Sequence, residues 1–207
     1  MDNVQMSIFF TSNPDPVSWL IRWFQTPWSE RVRGKLFPYS HCGVLFQFDK
    51  PVSVHGVYFA EGSYFAESIF KKKKDSRYGR KGSNGVRFPV PHRNLHDWVC
   101  ENEKRKLEII PIPPEAANVE HVIVCALQWR LTVRYAPIGQ MLAYARNMFP
   151  TEATPSRMTC SEFLARALCW HELNLWYEVL NIGDMTYDMI NPRHMYSAAK
   201  IVEEYHR

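Results

Sequence analysis

The stretch Met158-Thr159-Cys160-Ser161-Glu162-Phe163-Leu164-Ala165-Arg166-Ala167-Leu168 constrains this chain more than any other, because it reads as a helix that opens on a cysteine. Thr159 and Glu162 form a capping-box pattern: the hydroxyl accepts from the Glu162 backbone N–H, and the glutamate reaches back to the N–H of Thr159. Cys160 is then the first helical residue. Phe163, Leu164, Ala167 and Leu168 recur on one apolar face, so the helix buries its far side and its N-terminus is held fixed. A thiol in that place feels the positive end of the helix dipole and nearby free N–H groups, which favour thiolate and are able to bind an oxyanion. The competing reading is an inert core cysteine, a common fate for this residue type. A partner imidazole decides between them.

The remaining sequence supplies a frame of suitable size. With 207 residues, 46% of them hydrophobic and 14% aromatic, the chain suffices for one cored domain over residues 1–207 and is far from a disordered composition. The net charge of +4 suits an anionic partner without requiring one. Cys42, Cys100, Cys125, Cys160 and Cys169 are odd in number and contain no Cys-x-x-Cys pair, which points to reduced thiols. The opening Met-Asp-Asn-Val-Gln-Met-Ser lacks the basic and apolar regions of a signal peptide, and no run reaches the length of a membrane span. The expectation is a cytoplasmic protein whose working site is left open.

Along the chain, Met6–Thr11 suits a strand, and Asp15-Pro16 reads as cap and first residue of a helix over 17–24, with Trp19, Leu20, Trp23 and Phe24 on one side. Residues 27–39 read as a loop. Ser40–Phe48 is a strand whose core face is Cys42, Val44, Phe46 and Phe48, and 57–60 and 64–70 add two more. A Gly- and Ser-containing basic loop follows, with Lys71, Lys72, Lys73, Lys74, Arg77, Arg80 and Lys81, then strands at 85–90 and 106–112. Helical periodicity covers 116–133, and a second piece runs over 138–148. A loop occupies 150–157, and the C-terminal part reads as a loop over 187–192 and a helix over 193–205.

His41 is the imidazole best placed to serve Cys160, since it opens a strand directly before Gly43, where a missing side chain leaves room. Glu67 lies on the strand face of Phe65 and Ile69. A carboxylate among apolar neighbours needs a partner, and an imidazole N–H on the next strand would be one. Glu61, near Val57 and Phe59, has a similar setting and stays open as the alternative.

These residues resemble a known family over most of the chain. Tyr39-Ser40-His41-Cys42-Gly43-Val44, Phe65-Ala66-Glu67-Ser68, Asn84–Val90, Thr159-Cys160-Ser161-Glu162-Phe163 and Ile190-Asn191-Pro192 are similar to motifs of the circularly permuted papain-like hydrolases of the NlpC superfamily, in the YiiX-like branch. The order matters: His41 and Glu67 precede Cys160, as permutation requires. Glu67 favours this branch over the lecithin retinol acyltransferase group, whose third residue is histidine.

The resemblance implies an α+β fold in which an antiparallel sheet carrying His41 and Glu67 packs against a helix presenting Cys160. It also implies hydrolysis or transfer at an amide or ester through an acyl-enzyme, with no cofactor and no metal. The substrate would be a peptidoglycan peptide or an acyl lipid. Thr159 stands where many relatives carry an aromatic, Asn191 replaces a threonine, and residues 71–81 lengthen a loop, all at positions that would line the substrate cleft.

Three other readings compete. His92, His96 and Cys100 share a face at four-residue spacing if helical, as zinc ligands can. The Lys71–Lys74 run could dock a non-catalytic module on anionic lipid or nucleic acid. The Trp-rich N-terminal helix could serve as an interface in a larger assembly. Oligomeric state is left open.

Overall fold

A computed structural model describes residues 3–69, 85–87, 106–136, 157–169 and 174–207. The expected basic loop over 71–81, the zinc candidates His92, His96 and Cys100, the strand end at 88–90 and the helical piece over 138–148 lie outside the described residues, as does nearly all of the 150–157 loop.

Five strands form one antiparallel sheet: β1 (Val4–Thr11), β2 (His41–Phe48), β5 (Gly62–Ile69), β6 (Gly85–Arg87) and β7 (Leu107–Ile112), in the order β6-β5-β2-β1-β7. β3 (Val52–Val54) and β4 (Val57–Phe59) make a separate hairpin, closed by His55 and Gly56, both at positive φ as a two-residue turn of matching twist demands. β8 (Arg134–Tyr135) pairs in parallel with β9 (Arg157–Met158).

The sheet's two faces differ. Ile8, Phe10, Cys42, Val44, Phe46, Phe48 and Ala66 point to the main core, which continues through the helices as far as Val202. That core packs α3 (Val119–Thr132), α4 (Cys160–Leu168), α5 (Leu175–Val179) and α6 (Pro192–Tyr205) against the sheet. The opposite face carries a smaller cluster of Phe9, Leu45 and Phe65, flanked by Leu107 and Ile109. The protein is thus α+β, with an antiparallel sheet packed against helices, and the β2 core face is the one its alternation predicts.

Several boundaries differ from expectation for local reasons. α3 starts at Val119, three residues late, because Ala117 is extended and the Asn118 side chain accepts from the His121 N–H. The 27–39 loop contains a short helix, α2 (Trp28–Arg31), and residues 187–189 form a 3₁₀ turn. α1 (Pro16–Gln25) has the expected Asp15 cap, which accepts from Ser18 N at 2.9 Å. Its buried residues, however, are Ser18, Ile21 and Gln25, and Trp19 is exposed. Ser18 bonds Ser40, and Gln25 accepts from the Arg193 N–H, so polar contacts decide which face turns inward.

Candidate active site

β2 and β5 pair in register from Phe48↔Gly62 to Val44↔Ala66. Beyond Val44 the pairing of β2 with β5 ends, and Glu67–Ile69 pairs with β6 instead. His41 and Glu67 reach across that gap, with His41 Nε2 and Glu67 Oε2 2.7 Å apart. Their side chains are 17% and 13% exposed, so the pair is shielded while still touching solvent. Glu61 is exposed at the approach to β5. Glu67, not Glu61, is therefore the carboxylate bonded to His41.

Gly43 has a different purpose from the room predicted for it. A Cβ there would lie 2.5 Å from Phe9 Cζ and 2.9 Å from the Ala66 carbonyl oxygen, so the space beside His41 is filled by the Phe9 ring. That ring stands 6.1 Å from the imidazole, centroid to centroid, and packs edge-on against Phe65. The imidazole is thus walled on one side by an aromatic that only a glycine admits.

Cys160 is delivered from the core side. Thr159 is extended, and its hydroxyl accepts from Glu162 N at 3.2 Å, so Cys160 opens α4 as expected. The reciprocal half of the capping box does not form. Glu162 turns along the helix to Arg166, whose Nε donates to Oε1 at 3.0 Å. Glu162 is buried, which together with Asp188 nearby raises its pKa against the opposing pull of Arg166. Other contacts fix the helix start: Ser161 Oγ donates to the Ile190 carbonyl at 2.7 Å, and Ser68 Oγ to the Met158 carbonyl at 3.2 Å. Since Ser68 follows Glu67, the carboxylate strand is bonded to the segment that carries the thiol.

The electrostatics favour an ion pair. Cys160 is hydrogen-bonded by the Cys42 thiol, which lowers its pKa; burial opposes this, and the charge and hydrogen bond of His41 and the Cys42 backbone N–H reinforce the lowering. For His41, burial alone would depress the imidazole, but Cys160 and then Glu67 outweigh it and raise the pKa to about 10. Nε2 is engaged by Glu67, which leaves Nδ1 as the ring nitrogen not held by that carboxylate. The Cys42 thiol is pushed up by burial and by the neighbouring negative charges, so it remains a protonated donor.

Sequence reasoning did not single out Cys42 or Tyr135. Cys42 reads as one member of an apolar strand face, and only the approach of α4 makes its thiol a partner of Cys160. Tyr135 is buried in the two-residue strand β8 beside Met158; burial, then Cys160, Cys42 and Glu67, raise its pKa. Nothing in its neighbourhood in the chain marks it. Among the described residues no group of three or more His, Cys, Asp or Glu side chains is gathered as a metal site would need, and no helix is long and apolar enough to cross a membrane. Comparison with models of protein families, with curated proteins and with solved structures finds no match to this chain.

Proposed function

We propose that this protein is a cysteine hydrolase or acyltransferase of permuted papain-like topology, related to the YiiX-like branch of the NlpC superfamily, acting on an amide or ester. One observation carries the reading: His41 is bonded to Glu67 at 2.7 Å and interacts electrostatically with Cys160, the cysteine that opens α4. Cys160 would attack the carbonyl carbon, forming a C–S bond while the carbonyl electrons move onto oxygen. The Cys160 backbone N–H, free at the first turn of α4, would be one donor to that oxyanion. Protonated His41 would then give its proton to the departing amine or alcohol, leaving an acyl-enzyme. Water, or an acceptor alcohol or amine, would lose a proton to His41 as it attacks, and the thiolate would be released. Glu67 would hold the imidazole in orientation and stabilise its cation. A peptide amide and an acyl lipid both fit this chemistry.

Alkylation by iodoacetamide across pH tests the reading. The nucleophile is the thiolate, and a lowered pKa means that thiolate persists as pH falls. Cys160 should therefore alkylate well below about 8.5, where a free thiol ionises. Cys125 and Cys169, pushed by burial to about 11 and about 12, should stay unreacted there. His41→Ala should shrink the advantage to what the Cys42 donors alone supply. Incubation with a p-nitrophenyl acyl ester should leave the acyl mass on the Cys160 peptide. If Cys160 reacts no faster than Cys125 and Cys169, the proposal fails.

A further inference from the structure

Between β1 and β2 the chain leaves large apolar side chains in solvent. Trp19 is 51% exposed, Trp28 69% and Val32 67%, with Val17 beside them on α1. On α1, Trp19, Leu20 and Trp23 occupy the side opposite the buried Ser18, Ile21 and Gln25. The Arg31 guanidinium lies 4.2 Å from the centroid of Trp23 and 6.0 Å from that of Trp28. One cation therefore joins the outward faces of both helices, and Trp19 stands one turn from Trp23, so the indoles share one surface.

The same segment is basic. Arg22, Arg31, Arg33 and Lys35 stand against two carboxylates, Asp15, which caps α1, and Glu30, which Arg193 already engages at 3.2 Å. Among the described residues Arg33 and Lys35 are in no ion pair, and both are exposed. The surface is firmly mounted: Arg22 Nε donates to the Phe37 carbonyl at 2.9 Å, Phe37 N donates to Thr26 Oγ1 at 2.7 Å, and Arg193 N donates to Gln25 Oε1 at 2.9 Å.

We infer that α1, α2 and the turn through Lys35 form a docking face for a bilayer containing anionic phospholipid. Indoles suit the boundary between headgroup and hydrocarbon, where the ring is buried and the N–H stays hydrated. Val17, Leu20 and Val32 gain from hydrocarbon contact, whereas a surface for stacking nucleobases has no use for aliphatic side chains. Arg31, Arg33 and Lys35 complement lipid phosphates. Both helices are short, so the face lies on the bilayer and does not enter it.

This inference does not depend on the chemistry proposed for Cys160, and its test uses the full chain carrying Cys160→Ala so that lipid turnover cannot interfere. The protein is sedimented with vesicles of phosphatidylcholine alone and of phosphatidylcholine with phosphatidylglycerol, and tryptophan emission is followed. Binding should require phosphatidylglycerol, weaken as salt rises, and shift the emission to the blue. Trp19→Ala and Trp28→Ala should each lower partitioning about tenfold. Arg33→Gln with Lys35→Gln should lower it by about 25-fold, about fivefold per cation. Circular dichroism and melting temperature establish that the variants fold.

Absence of binding to the mixed vesicles overturns the inference. So does equal binding to both vesicles that the charge variants leave unchanged. Self-association in light scattering that Trp28→Ala abolishes would assign the face to a second copy of the chain and overturn it equally.

Discussion

At the scale of single residues, Cys42 is the side chain whose removal separates ionisation from folding. It donates to the Cys160 sulfur from both its thiol and its backbone N–H, and substitution removes only the first. Cys42→Ala should move the pH at which Cys160 alkylates upward by about one unit, at a stability cost of about 1 kcal/mol for a small buried group. Cys42→Ser keeps a donor and should restore most of the profile; an unchanged profile in Cys42→Ala would show that the thiol is only core filling. The sequence made His41 and Cys160 visible because each carries a local signal, a histidine opening an alternating strand and a cysteine after a capping threonine. Cys42 was not visible as a partner, because alternation assigns it to the core and says nothing of which helix arrives there. The choice between Glu61 and Glu67 depended on the β2–β5 register, a pairing that strand pattern alone does not set.

At the scale of elements, Gly43 limits how closely β1, β2 and β5 can be joined at the site. Gly43→Ala places a Cβ against the Ala66 carbonyl oxygen and the Phe9 ring, and the backbone oxygen has little freedom to yield. The expected loss is about 3 kcal/mol of stability by chemical denaturation, with Cys160 alkylation altered because the Phe9 ring packed beside His41 must shift. Wild-type stability in that variant would mean that the site has slack that the packing of Phe9, Leu45 and Phe65 gives no sign of. Elements were legible where they are capped locally, as α4 and α1 are. The inward face of α1 was not legible, since Ser18 and Gln25 are buried by bonds to Ser40 and Arg193 that no hydropathy pattern contains. The capping box was half legible for the same reason: burial turns Glu162 toward Arg166.

At the scale of the whole molecule, Arg193 at the start of α6 ties the N-terminal helices to the C-terminal one, through the side chain and backbone carbonyl of Gln25 and through Glu30. Arg193→Met keeps the aliphatic stem and removes the charge-assisted bonds. It should cost about 1–2 kcal/mol and speed amide hydrogen exchange across residues 16–31 more than across β1 or β2; uniform exchange changes would refute a local tether. The strand order was beyond sequence pattern, because β7 joins the sheet beside β1 across about 100 residues of chain. The whole main sheet, including His41 and Glu67, nevertheless precedes α3, α4 and α6. On a ribosome adding roughly 5–20 residues per second, Cys160 emerges on the order of 10 s after His41. The ion pair therefore cannot exist in the growing chain until α4 docks, so a nascent polypeptide carries no thiolate at Cys160 paired with His41 before the cysteine-bearing helix reaches the sheet.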